Sequence, residues 1–176
     1  MRMHRWVLSL LASLSSLLAA ESPAKFKVGD FEFQRPEKWI WIETDNQMRK
    51  AQLKVTAADG KTSGEVVFFH FGLSNGGGTK ANVDRWLGQF QEKGPQLKSK
   101  VDEMTVRSRK ITFVEAHGTY LSGTPGGPKT PMPDHTLLGA ILESPEGSVF
   151  IRLTAPSSLG QTAQTDFRKL AESGIP

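Results

Sequence analysis

An α+β domain, with a mostly antiparallel sheet and helices on both faces, is what this sequence predicts. Three observations lead there. Strand-like segments dominate and are joined by short turns, which favours hairpins over βαβ crossovers. Residues 65–71 (EVVFFHF) are apolar on both faces, so their sheet needs cover on each side. Two segments carry apolar stripes at helical spacing and can supply that cover.

Residues 1–20 stand apart from the domain. Arg2 and Arg5 precede an apolar run over 6–18, and small residues lead up to Ala20. That pattern reads as a secretory signal peptide cleaved after Ala20. The run falls short of the about 20 apolar residues that a membrane span needs, so no transmembrane span is expected after cleavage. The expectation is one domain over 21–176, periplasmic or secreted. With no cysteine in the chain, it must be held by an ordinary core. Removing residues 1–20 takes away Arg2 and Arg5 and leaves 20 basic against 18 acidic residues, net +2. That near balance, in an exported chain, argues against nucleic acid as a partner.

In the domain, 25–34 holds Phe26 and Val28, then Phe31 and Phe33, around a Gly29-Asp30 turn or bulge. Pro36-Glu37-Lys38 is a helical turn or loop, and 39–42 resumes an extended run. Residues 51–56 alternate apolar and polar, as a strand with one wet face does. Ala58-Asp59-Gly60-Lys61 is a hairpin turn. Val83, Trp86, Leu87 and Phe90 form the stripe of a helix over 79–93, capped by Thr79 or Asn82 and stopped by Gly94-Pro95. Two antiparallel strands over 101–110 and 111–121 follow. Residues 122–134 (SGTPGGPKTPMPD) hold four of the ten prolines and are expected to form no regular element. A hairpin over 135–154 and a final helix with Ala163, Phe167, Leu170 and Ala171 inward complete about eight strands and two helices.

Phe31-Glu32-Phe33 with Pro36-Glu37-Lys38-Trp39 resembles the opening strand and P-x-x-W corner of the PsbP-like fold. Extrinsic photosystem proteins, a nuclear import factor and small bacterial periplasmic proteins share that fold. The closing hairpin, Ala155-Pro156 and helix are similar too. The run from Gly76 to Trp86, Gly118-Thr119-Tyr120 and Leu137-Leu138-Gly139-Ala140-Ile141 resemble a family of uncharacterised exported bacterial proteins, which implies no activity.

Gly72-Leu73-Ser74-Asn75-Gly76 matches the G-x-S-x-G pattern of serine hydrolases. A nucleophile elbow needs a strained strand-to-helix turn with the helix starting at once, whereas Gly76 to Lys80 intervene here. Ser74 with Asp102 and His117, or with Asp134 and His135, keeps the triad's chain order and defines a small serine hydrolase as one alternative. A P-loop requires Gly-Lys-Ser/Thr, and Gly78-Thr79-Lys80 reverses it. His70, His117 and His135 lie in or beside strands and define a metal-binding accessory protein as a second alternative, without the short spacing of a zinc site. Glu115, Glu143 and Asp102 show no pairing that marks glycoside hydrolysis. Lys98, Lys100, Arg107, Arg109 and Lys110 read as a solvated hairpin face. Lys80, Asn82, Arg85, Trp86 and Gln89 remain as candidate binding residues on the first helix, and 122–134 as a recognition loop. The leading expectation is a non-catalytic binding protein, without a cofactor, for an extracytoplasmic protein or small ligand.

Overall fold

The computed structural model describes residues 22–124 and 126–175, apart from the side chains of Ser74 and Asn75; the expected signal segment lies outside the described residues. Nine strands and three α-helices occur among them, with one 3-10 turn at Gly94–Gln96: β1 (Lys25–Val28), β2 (Phe31–Gln34), β3 (Ile40–Trp41), β4 (Ala51–Thr56), β5 (Ser63–His70), α1 (Gly72–Asn75), α2 (Thr79–Leu87), β6 (Lys98–Val106), β7 (Arg109–Ser122), β8 (Thr130–Leu142), β9 (Val149–Pro156) and α3 (Ser157–Ser173). Seven strands form one antiparallel sheet in the order β3-β4-β5-β9-β8-β7-β6, and β1-β2 form a separate two-stranded sheet.

The two-faced reading of residues 65–71 holds. Val66 and Phe68 are fully buried with the β1-β2 hairpin and α3, whereas Val67 is fully buried on the opposite face. Leu159, Ala163, Phe167, Leu170 and Ala171 line one side of α3, as the helical spacing requires. Burying a side chain such as Phe167 stabilises by about 1.5–3 kcal/mol. Gly160 lets this helix close on β8: a Cβ there would sit 2.6 Å from Thr136 Cβ. The hairpin turn at 58–61 also forms. Asp59 Oδ1 accepts the N–H groups of Lys61 and Thr62, and Oδ2 accepts the Thr62 hydroxyl. That hydroxyl, followed by the two N–H groups, holds the Asp59 carboxyl below its ordinary pKa.

Three boundaries differ from expectation. The break between the third-quarter strands falls at Arg107-Ser108, not at 110/111, and both residues have positive φ, 46° and 67°. Neither is a residue that usually marks such a turn. Helix α2 stops at Leu87 because residues 89–91 are drawn onto β7: Leu121 N donates to Gln89 O, and Gln91 N to Thr119 O. Its N-cap is Gly78, without a side-chain cap, since Thr79 Oγ1 donates to Glu143 instead.

The proline-rich segment is also more ordered than expected. Strand β7 runs to Ser122 and β8 begins at Thr130, so Pro131 and Pro133 lie inside a strand. Pairing with β9 ends at His135, and beyond it β8 is flanked by β7 alone. Proline is tolerated on such a one-sided strand. A register shift between Gly118 and Tyr120, opposite Asp134 at φ 51°, bends the ribbon there.

Candidate functional site

The face opposite α3 is only partly roofed. Helix α2 has nine residues, about 14 Å of helix, and its stripe packs over β7 and β8. Trp86 is the centre of that contact: a Cβ on Gly139 would lie 2.3 Å from its ring. The register carries the same face onward from Gly139 to Arg152 on β9, Val67 on β5 and Gln52 on β4. These strands lie beside α2's footprint, and long polar side chains line them.

Two networks occupy this surface. Arg49 Nη1 donates to Gln52 Oε1 at 2.8 Å and to Glu65 Oε1 at 2.5 Å, and Gln52 Nε2 donates to the same Glu65 oxygen at 2.9 Å. Glu65 therefore has its cation. Arg152 has none of the opposite sign: among the described residues no carboxylate lies within ion-pair range of it. Its Nη1 donates to Gln89 Oε1 at 3.2 Å, an oxygen that also accepts the Tyr120 hydroxyl at 3.3 Å. Its guanidinium carbon lies 6.0 Å from the centroid of Phe69, which stacks on Phe71. Arg152 Nε is buried without a hydrogen-bond acceptor. A desolvated, unpaired donor on a cation carries a free-energy penalty.

The supports are rigid. Gln89 is fixed by the backbone bonds of 89–91 to β7 and by the Phe90–Tyr120 edge-on ring pair at 5.6 Å. Glu92 Oε2 accepts Thr119 N at 2.9 Å. Its carboxyl is held below the ordinary range by backbone N–H groups, its own first and then that of Thr119.

No protein-family model matches this chain, and no curated protein does. Among solved structures it is similar to the solution structure of cyanobacterial PsbP (CyanoP) from Synechocystis sp. PCC 6803, with TM-score 0.54 and 10% identity over 94% of this chain and 96% of that one. A Pseudomonas aeruginosa protein of unknown function is similar at TM-score 0.47 and 12% identity, over 86% of this chain and 95% of that one. The fold is PsbP-like.

On this PsbP-like frame the predicted residues divide. Gln89 belongs to the Arg152 network, and Trp86 is the buried pin beneath it. Asn82 is buried, and its Nδ2 donates to the carbonyls of Gly76 and Gly78, so it clasps the glycine loop rather than capping a helix. Arg85 donates to Asn82 Oδ1, and Lys80 pairs with Asp84 in solvent.

The serine, histidine and acid of the hydrolase alternative are not brought together. The Ser74 side chain lies outside the described residues, but its backbone is in α1, just past the β5 end where His70 faces Val149. His117 sits near the far end, opposite Thr136, and β8 runs from there to Leu142 opposite Val149, about 20 Å away. Its two ring nitrogens meet Thr136 Oγ1 at 2.7 Å and Glu115 Oε1 at 2.8 Å. Asp102 is engaged elsewhere, by Lys100 at 2.8 Å and Arg168 at 3.2 Å. The Lys100 hydrogen bond, with Arg168 adding, holds its carboxyl below the usual range.

The three histidines do not converge either: His117 and His135 sit in consecutive register pairs, His117 with Thr136 and Gly118 with His135, and so point to opposite faces of the sheet, while His70 is remote from both. His70 is opposite Val149 and His135 opposite Pro156, about 23 Å apart along β9. No group of three metal-ligating side chains occurs among the described residues. The basic stretch is laced with acids, Lys100–Asp102, Lys110–Glu103 and Arg109–Asp30.

Sequence reasoning missed Arg49, Gln52, Glu65, Tyr120 and Arg152. A signal for Arg152 was present: it is the one charged residue in the otherwise apolar run VFIRL of β9.

Proposed function

We propose that this protein is an exported, non-catalytic binding module whose ligand docks on the half-roofed sheet face at Arg152. The ligand class is an anion, carboxylate above all, carrying an apolar or aromatic portion. The half-buried guanidinium of Arg152, hydrogen-bonded to the neutral Gln89 amide and set beside Phe69, supports this reading most directly. A carboxylate there meets a planar donor set without having to displace a resident acid. The apolar portion would lie on the Phe69–Phe71 stack beside it.

Export rests on Arg2, Arg5 and the apolar run ending at Ala20. No helix among the described residues is long and apolar enough to cross a membrane. Expression of the whole chain in a bacterial host is expected to yield an envelope or medium fraction whose intact mass begins at Glu21. An uncleaved cytoplasmic product overturns the export proposal.

For binding, the mature protein titrated with phenylacetate and followed by amide NMR should shift at Phe69, Gln89 and Arg152. Arg152→Gln should weaken that binding about ten- to a hundredfold, the equivalent of roughly 1.5–3 kcal/mol for a charge-assisted hydrogen bond. Shifts confined to other surfaces, or equal affinity in the variant, reject the site.

A further inference from the structure

We infer that the open edge of β6 docks a second copy of this chain, β6 against β6 in antiparallel register about a two-fold axis through Val101. The two edges of the large sheet are treated differently. At one edge β3 is only two residues long, which leaves little to pair with. At the other, β6 presents nine residues, KSKVDEMTV, with neither proline nor glycine. Val101 on this strand is 45% exposed, one of four exposed large apolar side chains among the described residues.

The hairpin fixes which backbone groups face outward. Val106 pairs with Arg109 across the two turn residues Arg107 and Ser108. The pair closing a two-residue hairpin is hydrogen-bonded, and bonded and non-bonded pairs then alternate. Val106, Met104, Asp102, Lys100 and Lys98 therefore spend their backbone bonds on β7. Those of Thr105, Glu103, Val101 and Ser99 point to the open edge. A second strand must match these odd-numbered positions with its own.

Charge then selects among the registers that do so. Centring on Lys100 or Asp102 sets like charge against like. Centring on Ser99 puts Lys98 opposite Lys100, and centring on Glu103 puts that acid opposite itself. Centring on Val101 places Lys100 opposite the second copy's Asp102, twice by symmetry, on the α3 side of the sheet. On the other side Val101 covers Val101, and Ser99 faces Glu103. Such a register forms about six interstrand backbone bonds and makes one continuous sheet across both copies. The acids at 102 and 103 turn a lysine-guarded edge into a self-complementary one.

The chain has no cysteine, so single cysteines report the register directly. Residues facing each other in a hydrogen-bonded antiparallel pair have Cα atoms about 5.5 Å apart, within the range that a disulfide spans. Val101→Cys should oxidise to a covalent dimer at least tenfold faster than Ser99→Cys, whose two copies lie four residues out of register. An equimolar mixture of Ser99→Cys and Glu103→Cys should give mainly the mixed dimer. Adding Lys100→Glu to Val101→Cys sets acid against acid and should slow cross-linking to the Ser99→Cys rate. Equal rates for Val101→Cys and Ser99→Cys, with unchanged thermal melts showing both folded, overturn the inference. So does a mixture that forms only like-with-like dimers.

Discussion

Replacing Phe68 with alanine is expected to lower the unfolding free energy by about 3–5 kcal/mol, the range for deleting a buried phenylalanine ring. Phe68 is fully buried in β5, and its ring meets Phe26 edge-on at 5.0 Å and Phe33 at 5.1 Å. Both partners belong to the β1-β2 hairpin, which shares no strand pairing with the large sheet. A two-stranded hairpin is marginal by itself in water. Its attachment therefore depends on side-chain packing, and Phe68 is the sheet residue whose ring meets both hairpin phenylalanines. The void left by alanine cannot be refilled from the ladder side, where β4 and β9 hold the backbone in register. Domains of this size have about 5–15 kcal/mol of stability, so the loss is a large share of the total. Urea unfolding gives the magnitude. Amide exchange locates it, with the greatest relative loss of protection expected at residues 25–34. A change below about 1 kcal/mol would mean that the hairpin slides to close the gap.

What was legible in the sequence, and what was not, follows the range of the signal. Helix α3 and strand β4 were readable because their periods of 3.6 and 2 lie within the elements themselves. The α2 stripe was readable for the same reason, but its end was not. Residues 89–91 leave the helix to bond with residues 119–121 of β7, and no local pattern announces that. The Arg107-Ser108 turn was misplaced because its positive φ values fall on residues that do not advertise them. Pro131 and Pro133 read as breakers; only the topology shows that β8 outruns β9 there. The candidate site shows the same division. Gln89 was singled out from its helix, whereas its partner Arg152 is 63 positions away and stands among apolar neighbours. A lone cation in such a run is the kind of local inconsistency that marks a function or a buried partner.

Gly139→Val tests whether the packing under α2 and the Arg152 site form one unit. A Cβ at Gly139 would lie 2.3 Å from Cζ3 and 2.5 Å from Cε3 of Trp86, inside the indole rather than beside it. The backbone of β8 cannot retreat, since Gly139 is paired with Val114 on one side and Arg152 on the other. Trp86 must therefore move outward and carry α2 with it. Overpacking of this kind costs typically 1–3 kcal/mol, and the branched valine is expected at the upper end, about 3 kcal/mol. In a Trp86→Leu background the ring is gone, and the same substitution should cost at least about 1 kcal/mol less, a coupling of the size found for residues in contact. Equal costs in both backgrounds would place the strain elsewhere in the sheet. The site should respond as well. Gln89 follows Trp86 by less than one helical turn, so displacing α2 pulls its amide oxygen away from Arg152 Nη1, now at 3.2 Å. Gly139→Val should then weaken phenylacetate binding although residue 139 offers no polar group to it. Unchanged affinity in a destabilised variant would show that Arg152 is positioned by the strand alone and that α2 is only a roof.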